Sequence, residues 1–189
     1  MTAFVADQQF SKASFREQPL QKGEYEKCTF SDCDFSNVDL MHFRFIDCKF
    51  VNCNFSLAKT NDTSFQQATF AGCKMLGIRF DLCKTFNLSF SFDNCTLDHS
   101  SFYKLNLKKT MFRNCGLQSV DFTESDLTLS TFAGCNLADA TIERANLEKA
   151  DFREAINYRI DPSVNKMKKA KFSRDGLPGL LTRYDIVIE

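Results

Sequence analysis

With 189 residues, 43% of them apolar, the chain can bury one sizeable core and does not require a second domain. Its 24 basic side chains equal its 24 acidic ones, so no global field draws it to nucleic acid or to an anionic membrane. Seven Gly and three Pro exclude collagen-like and low-complexity chains, and no basic-then-apolar start or bilayer-length apolar run is present, so a cytoplasmic protein without membrane association is expected.

From the N-terminus, a large apolar residue recurs at every fifth position, with Thr60 the one exception: Phe10, Phe15, Leu20, Tyr25, Phe30, Phe35 and onward to Phe80. We term these the centres. Thr85 and Phe90 end this frame, and Phe92, Leu97, Phe102, Leu107 and Phe112 open a new one that runs to Phe152, so two residues are inserted within 81–91. Two places before most centres stands a small residue, such as Cys28, Cys33, Ala58, Cys73, Ser100 or Ala145, with Phe43, Ile78, Leu88 and Leu105 as oversized exceptions and Gln8 and Gln18 at a frayed start. Small, polar, large is a three-residue strand with two side chains on one face, and the two remaining polar residues turn a corner. A helix needs apolar spacing of three and four, which a period of five does not supply.

One column fixes the circuit. Phe10, Phe30, Phe50, Phe70, Phe92, Phe112, Phe132 and Phe152 recur at intervals of 20, with one interval of 22. Four units therefore make a coil. The expectation is an all-β, four-sided parallel β-helix of about seven coils, roughly 36 Å long, with these eight rings in its core. It is expected to occupy residues 1–157, followed by a capping and dimerisation segment over 158–189. In that segment Leu177, Leu180, Leu181 and Tyr184 sit at helical spacing, and Ile186 and Ile188 alternate like a short strand. Such a cap covers an open coil end or meets a symmetry mate in a homodimer.

Little in the chain suggests chemistry. All nine Cys occupy the small position, where a compact reduced thiol fits a stacked core; a collinear ladder cannot enclose a tetrahedral metal, so neither metal nor cofactor is expected. His42 and His99 lie in corners, facing outward, and no nucleophile is placed with a base, so no catalysis is expected. Residues 114–151 hold seven carboxylates against Arg144 and Lys149, a net of minus five. Two basic clusters, Lys104, Lys108, Lys109 and Arg113, then Lys166, Lys168, Lys169, Lys171 and Arg174, have no aromatic side chains to stack bases, so no direct nucleic-acid binding is expected.

The run CNLAD, ATIER, ANLEK, ADFRE, from Cys135 to Glu154, resembles the A(D/N)LXX signature of the pentapeptide-repeat family, a likeness that extends over about four fifths of the chain. The resemblance implies a right-handed quadrilateral β-helix with centres and small residues inside. The stretch Ile160-Asp161-Pro162 with Asn165 and Lys166, and the ending from Leu180 to Ile188, are similar to the C-terminus of the Qnr quinolone-resistance and microcin B17 immunity branch. That branch implies a terminal helix that caps the rod and joins two subunits. It also implies a non-enzymatic protein that imitates duplex DNA and binds DNA gyrase or topoisomerase IV, giving protection from quinolones or peptide toxins. On that reading Asp121, Glu124, Asp126 and Glu143 would face the enzyme. A general protein-interaction scaffold with no topoisomerase partner remains the alternative.

Overall fold

The computed structural model describes residues 3–184 and 186–187. Eleven short strands, β1 to β11 in chain order, pair in parallel into two sheets, each coil laying its strands directly on those of the coil before. The first sheet has four strands: β1 (Ala3–Ala6), β3 (Gly23–Glu26), β5 (Arg44–Ile46) and β7 (Ser64–Gln66). The second has seven: β2 (Gln9–Ser11), β4 (Thr29–Ser31), β6 (Lys49–Val51), β8 (Ala68–Ala71), β9 (Phe90–Asp93), β10 (Met111–Arg113) and β11 (Thr131–Ala133). The other two sides are ladders of single bridges, such as Asp34 to Asn54 to Lys74 to Thr96 and Ser101 to Asp121 to Thr141. The result is the expected four-sided parallel β-solenoid of about seven coils.

The lumen is filled. Phe30, Phe50, Phe70, Phe92, Phe112, Phe132 and Phe152 are buried and stack nearly parallel, with centroids 4.6–5.3 Å apart, while Phe10 at the N-terminal end is only partly covered. Neighbouring columns meet edge to face, as Phe35 does with Phe50 at 78°. Each ring so buried stabilises the fold by about 2–3 kcal/mol over an exposed one, and the ring pairs add about 1 kcal/mol each. All nine Cys are buried and unbonded. Burial pushes the thiols of Cys48 and Cys83 up to about 12, so they stay protonated.

Two local devices make the corners. The residue two after most centres takes a left-handed backbone, as at Asp32, Asn52, Asn114 and Asp139, with φ between 51° and 56°. Asn, Asp and Gly tolerate that region best. On the bridge-only sides the polar residue before the centre accepts a hydrogen bond from the N–H just after it: Asp34 from Ser36 at 2.9 Å, Asn54 from Ser56 at 3.1 Å and Asn136 from Ala138 at 3.2 Å. This is an Asx turn, and it accounts for Asp or Asn in the repeat.

Three features differ from the sequence expectation. The ladder runs past residue 157: Asn146 bridges Lys166, Asp151 bridges Lys171, and Phe172 lies 5.4 Å from Phe152 as a further ring of the stack. The insertion is confined to Thr85–Leu88, because the Lys84 N–H still bonds Thr63 O whereas Thr69 already pairs with Ser91. Thr85, expected as a centre, is exposed, and the buried Phe90 ring fills its place 6.0 Å from Phe65 and 5.2 Å from Phe80. The four-stranded sheet stops at β7 where this segment protrudes. At the C-terminus a four-residue helix, α1 (Pro178–Leu181), and a 3-10 turn over Thr182–Tyr184 are present, and among the described residues no strand follows, although one was expected at Ile186 and Ile188. Ile188 lies outside the described residues.

Candidate functional site

With the interior occupied by packed side chains, whatever the rod does, its outer surface does. Among the described residues no group of three or more His, Cys, Asp or Glu is disposed to hold a metal, and no helix is long and apolar enough to cross a membrane. His42 and His99 are exposed corner residues with φ of 66° and 61°.

The four acidic candidates lie along one corner and the two sides that meet there. Glu124 and Arg144 occupy this corner on successive coils, the Glu124 N–H donating to Glu143 O at 2.9 Å. Asp121 precedes the centre on one side and Asp126 on the other. Two of the four have structural work. Asp121 accepts from the Thr123 N–H at 2.8 Å, and Asp126 accepts from the Thr128 N–H at 3.1 Å and its hydroxyl at 2.6 Å, the same Asx turn as elsewhere in the coil.

Three of the four carboxylates are also matched by cations. Glu124 meets Lys104 and Arg144 at 3.4 Å each, Asp126 meets Lys108 at 3.2 Å, and Glu143 meets Arg144 at 3.4 Å. Burial works against the charged form of Asp126, but the Thr128 hydrogen bonds and Lys108 outweigh it and hold its carboxyl below the usual range. One side away, Arg153 draws Asp151 down to about 2 against the opposing effect of burial, with Lys171 adding to the pull. Each pair is solvent-exposed and contributes little stability.

The cap is tied down at Tyr158. The Ile160 N–H donates to Gly179 O at 2.9 Å, and Arg183 reaches Asp161 at 3.0 Å. Gly176 and Gly179 lie directly against the Tyr158 side chain and backbone, where an added Cβ would stand 1.9 and 2.3 Å from Tyr158 atoms. Of the cap candidates Leu180 packs on the core and Leu181 is half-buried, but Leu177, Tyr184 and Ile186 stay about half exposed, and Val187 beside them is 87% exposed. The C-terminal turns therefore pack on the core through Leu180 and leave Leu177, Tyr184, Ile186 and Val187 exposed.

Sequence reasoning passed over Phe86, at the tip of the inserted segment and 75% exposed. The signal was available, since it is a phenylalanine that falls on neither five-residue grid. Its neighbours Lys84, Thr85 and Asn87 are also exposed.

Two family models match the chain: "Pentapeptide repeat region" over residues 89–160 and "Pentapeptide repeats (8 copies)" over residues 48–84. The four residues between them are the protruding segment. No curated protein matches the sequence. Among solved structures the chain is similar to a trypsin-treated variant of QnrB1, a plasmid-mediated fluoroquinolone resistance protein, with a TM-score of 0.63 and 18% identity over 99% of this chain and 100% of that one. A second trypsin-treated QnrB1 variant gives 0.54 and 20% over 98% and 99%. HetL, a pentapeptide repeat protein involved in heterocyst differentiation regulation from Nostoc sp. strain PCC 7120, gives 0.54 and 13% over 91% and 88%. At these identities the likeness establishes the fold.

Proposed function

Because the chain belongs to the pentapeptide-repeat family, we propose that it acts without chemistry, as a rod whose outer surface binds a protein, and that this partner is a type II topoisomerase. The observation that carries the first part is the filled lumen, with its stack of rings and buried thiols, which leaves a substrate nowhere to enter. The second part draws on the end-to-end likeness to a fluoroquinolone resistance protein. On this reading Asp121, Glu124, Asp126 and Glu143 stand in for a run of DNA phosphates in a basic groove of gyrase or topoisomerase IV, with salt-sensitive attraction, and shield the enzyme from quinolones or peptide toxins. Leu177, Leu180, Leu181, Tyr184 and Ile186, with Ile188 beyond the described residues, form the cap through which two copies join. Nine unbonded thiols fit a reducing, cytoplasmic setting.

A variant that removes charge but keeps each turn tests the mimicry. D121N and D126N retain the Asx acceptors, and E124Q and E143Q complete the set. In a gyrase supercoiling assay at two salt concentrations, the wild type is expected to modulate the enzyme most strongly at low salt and the fourfold variant to lose the effect. An unchanged effect of the variant rejects mimicry. The second reading, a scaffold for some other protein, is favoured by the cations at 3.2–3.4 Å from Glu124, Asp126 and Glu143, which offset the charge a DNA mimic should display. It predicts no effect of the wild type on supercoiling.

A further inference from the structure

Coiling unites basic residues that are far apart in the chain. Lys109, Leu129, Lys149 and Lys169 occupy one corner at four successive levels, linked by bonds of 2.9–3.0 Å from the Lys109, Leu129 and Lys149 N–H groups to Thr128 O, Glu148 O and Lys168 O. All four have φ between 58° and 63°. That backbone suits Asn or Gly, which fill the next corner at Asn94, Asn114 and Gly134. Lysine and leucine are poorer choices for it, so the backbone does not explain their presence.

The surroundings sharpen the pattern. Lys168 shares the corner with Lys169, and Lys166 stands on the adjoining side; both are exposed. No carboxylate lies within 4.0 Å of Lys109, Lys149, Lys166, Lys168 or Lys169 among the described residues, whereas the nearby Lys108, Arg113 and Lys171 are paired with Asp126, Asp93 and Asp151. Leu129, 42% exposed, lies between Lys109 and Lys149, and Met111 on β10, 58% exposed, stands beside Lys109 on the side that follows the corner. The carboxylates on this stretch are Asp126 and Asp151, both in ion pairs, and the half-buried Glu148.

We propose that this corner docks an acidic, amphipathic segment of a protein partner, with its apolar side chains on Met111 and Leu129 and its carboxylates on the surrounding lysines. An apolar centre inside a charged rim is the anatomy of a protein interface. A phosphodiester strand fits less well, because none of the free cations is an arginine, no aromatic is present to stack a base, and the two apolar side chains would stay uncovered. Three coil steps span about 14 Å, the length of about four extended or ten helical residues, which sets the size of the docked segment. The site shares only the ion-paired Asp126 with the topoisomerase reading, since Glu124 and Glu143 belong to a different corner, and none of the residues varied below is part of that reading.

The test titrates three labelled probes by fluorescence anisotropy: a peptide of about ten residues interleaving Glu with Leu, a Glu–Gly peptide of equal charge, and a short duplex DNA. The Glu–Leu probe is expected to bind about tenfold more tightly than the other two and to weaken with salt. The triple variant K109N, K149N and K169N should abolish binding while the melting temperature holds or rises, because Asn suits this backbone; M111S with L129S should reduce the Glu–Leu probe to the affinity of the Glu–Gly one. Absence of binding by the Glu–Leu probe, equal binding of the two peptides, tighter binding of the duplex, or indifference to either variant overturns the proposal.

Discussion

The small position is where single residues carry most of the explanation. Read as sequence, its cysteines are compact apolar fillers, but Cys53, Cys73 and Cys95 each donate the thiol proton to a carbonyl of the coil before, Phe30, Phe50 and Phe70 respectively, at 3.3–3.4 Å. Thr63, Ser100 and Ser130 make the same bond to Leu40, Met75 and Leu107 with a hydroxyl, at 2.6–2.9 Å. Cys, Ser and Thr interchange there because each is small and each carries a donor that satisfies its own burial. Ala68, Ala145 and Ala150 show that size alone suffices and that the bond is an addition. Accordingly Cys73→Ser should shift stability by less than about 1 kcal/mol, whereas Cys73→Leu should cost about 1–3 kcal/mol by overpacking. Urea midpoints of the two variants measure this, and a Ser variant as damaged as the Leu one would refute the equivalence.

At the scale of the corner and the strand, backbone conformation sets the tolerance. Gly134 has φ of +66°, and a Cβ there would stand 2.4 Å from Asn114 Oδ1. Gly134→Ala should therefore lower stability by about 1–2 kcal/mol, seen as a drop in melting temperature; an unchanged melting temperature would show that the corner relaxes freely. The five-residue period was enough to say which residues point inward, since burial and alternation obey the same frame. It could not reveal that Asp121 and Asp126 hold turns, because an Asx acceptor and a surface charge look alike in sequence. Nor could it follow the coil past 157. Asn157 and Pro162 fall where centres should be, while the buried Tyr158 and Ile160 supply the apolar bulk from off the frame. Met167 and Phe172 then restore the pattern, packed against the core. Thr85 misled in the opposite way, sitting on the frame but outside the core.

For the molecule as a whole, ends and skin matter most. The C-terminal turns pack on the core through Leu180 and leave Leu177, Tyr184, Ile186 and Val187 exposed, apolar side chains that the proposed dimer would bury. L177D with Y184D should convert a sedimenting dimer to a monomer without lowering the melting temperature, because both side chains are about half exposed in the single chain. A wild type that sediments as a monomer at micromolar concentration would remove the dimer. The equal count of acids and bases, which suggested no directional field, conceals one corner lined by unpaired lysines and another where carboxylates and cations are matched. That separation was invisible in the linear order because it arises only when residues a coil apart are stacked.

The inserted segment has one more implication. Pairing across it runs at an offset of 22, as in Phe70 with Phe92, yet the very next level, Phe92 with Phe112, is back at 20. Downstream, the seven-stranded sheet keeps its register, although the four-stranded sheet ends here and its side continues as single bridges. A solenoid of this kind can therefore take up extra residues at such a bend, repack one ring beside it, and still carry its aromatic column forward as a continuous shaft.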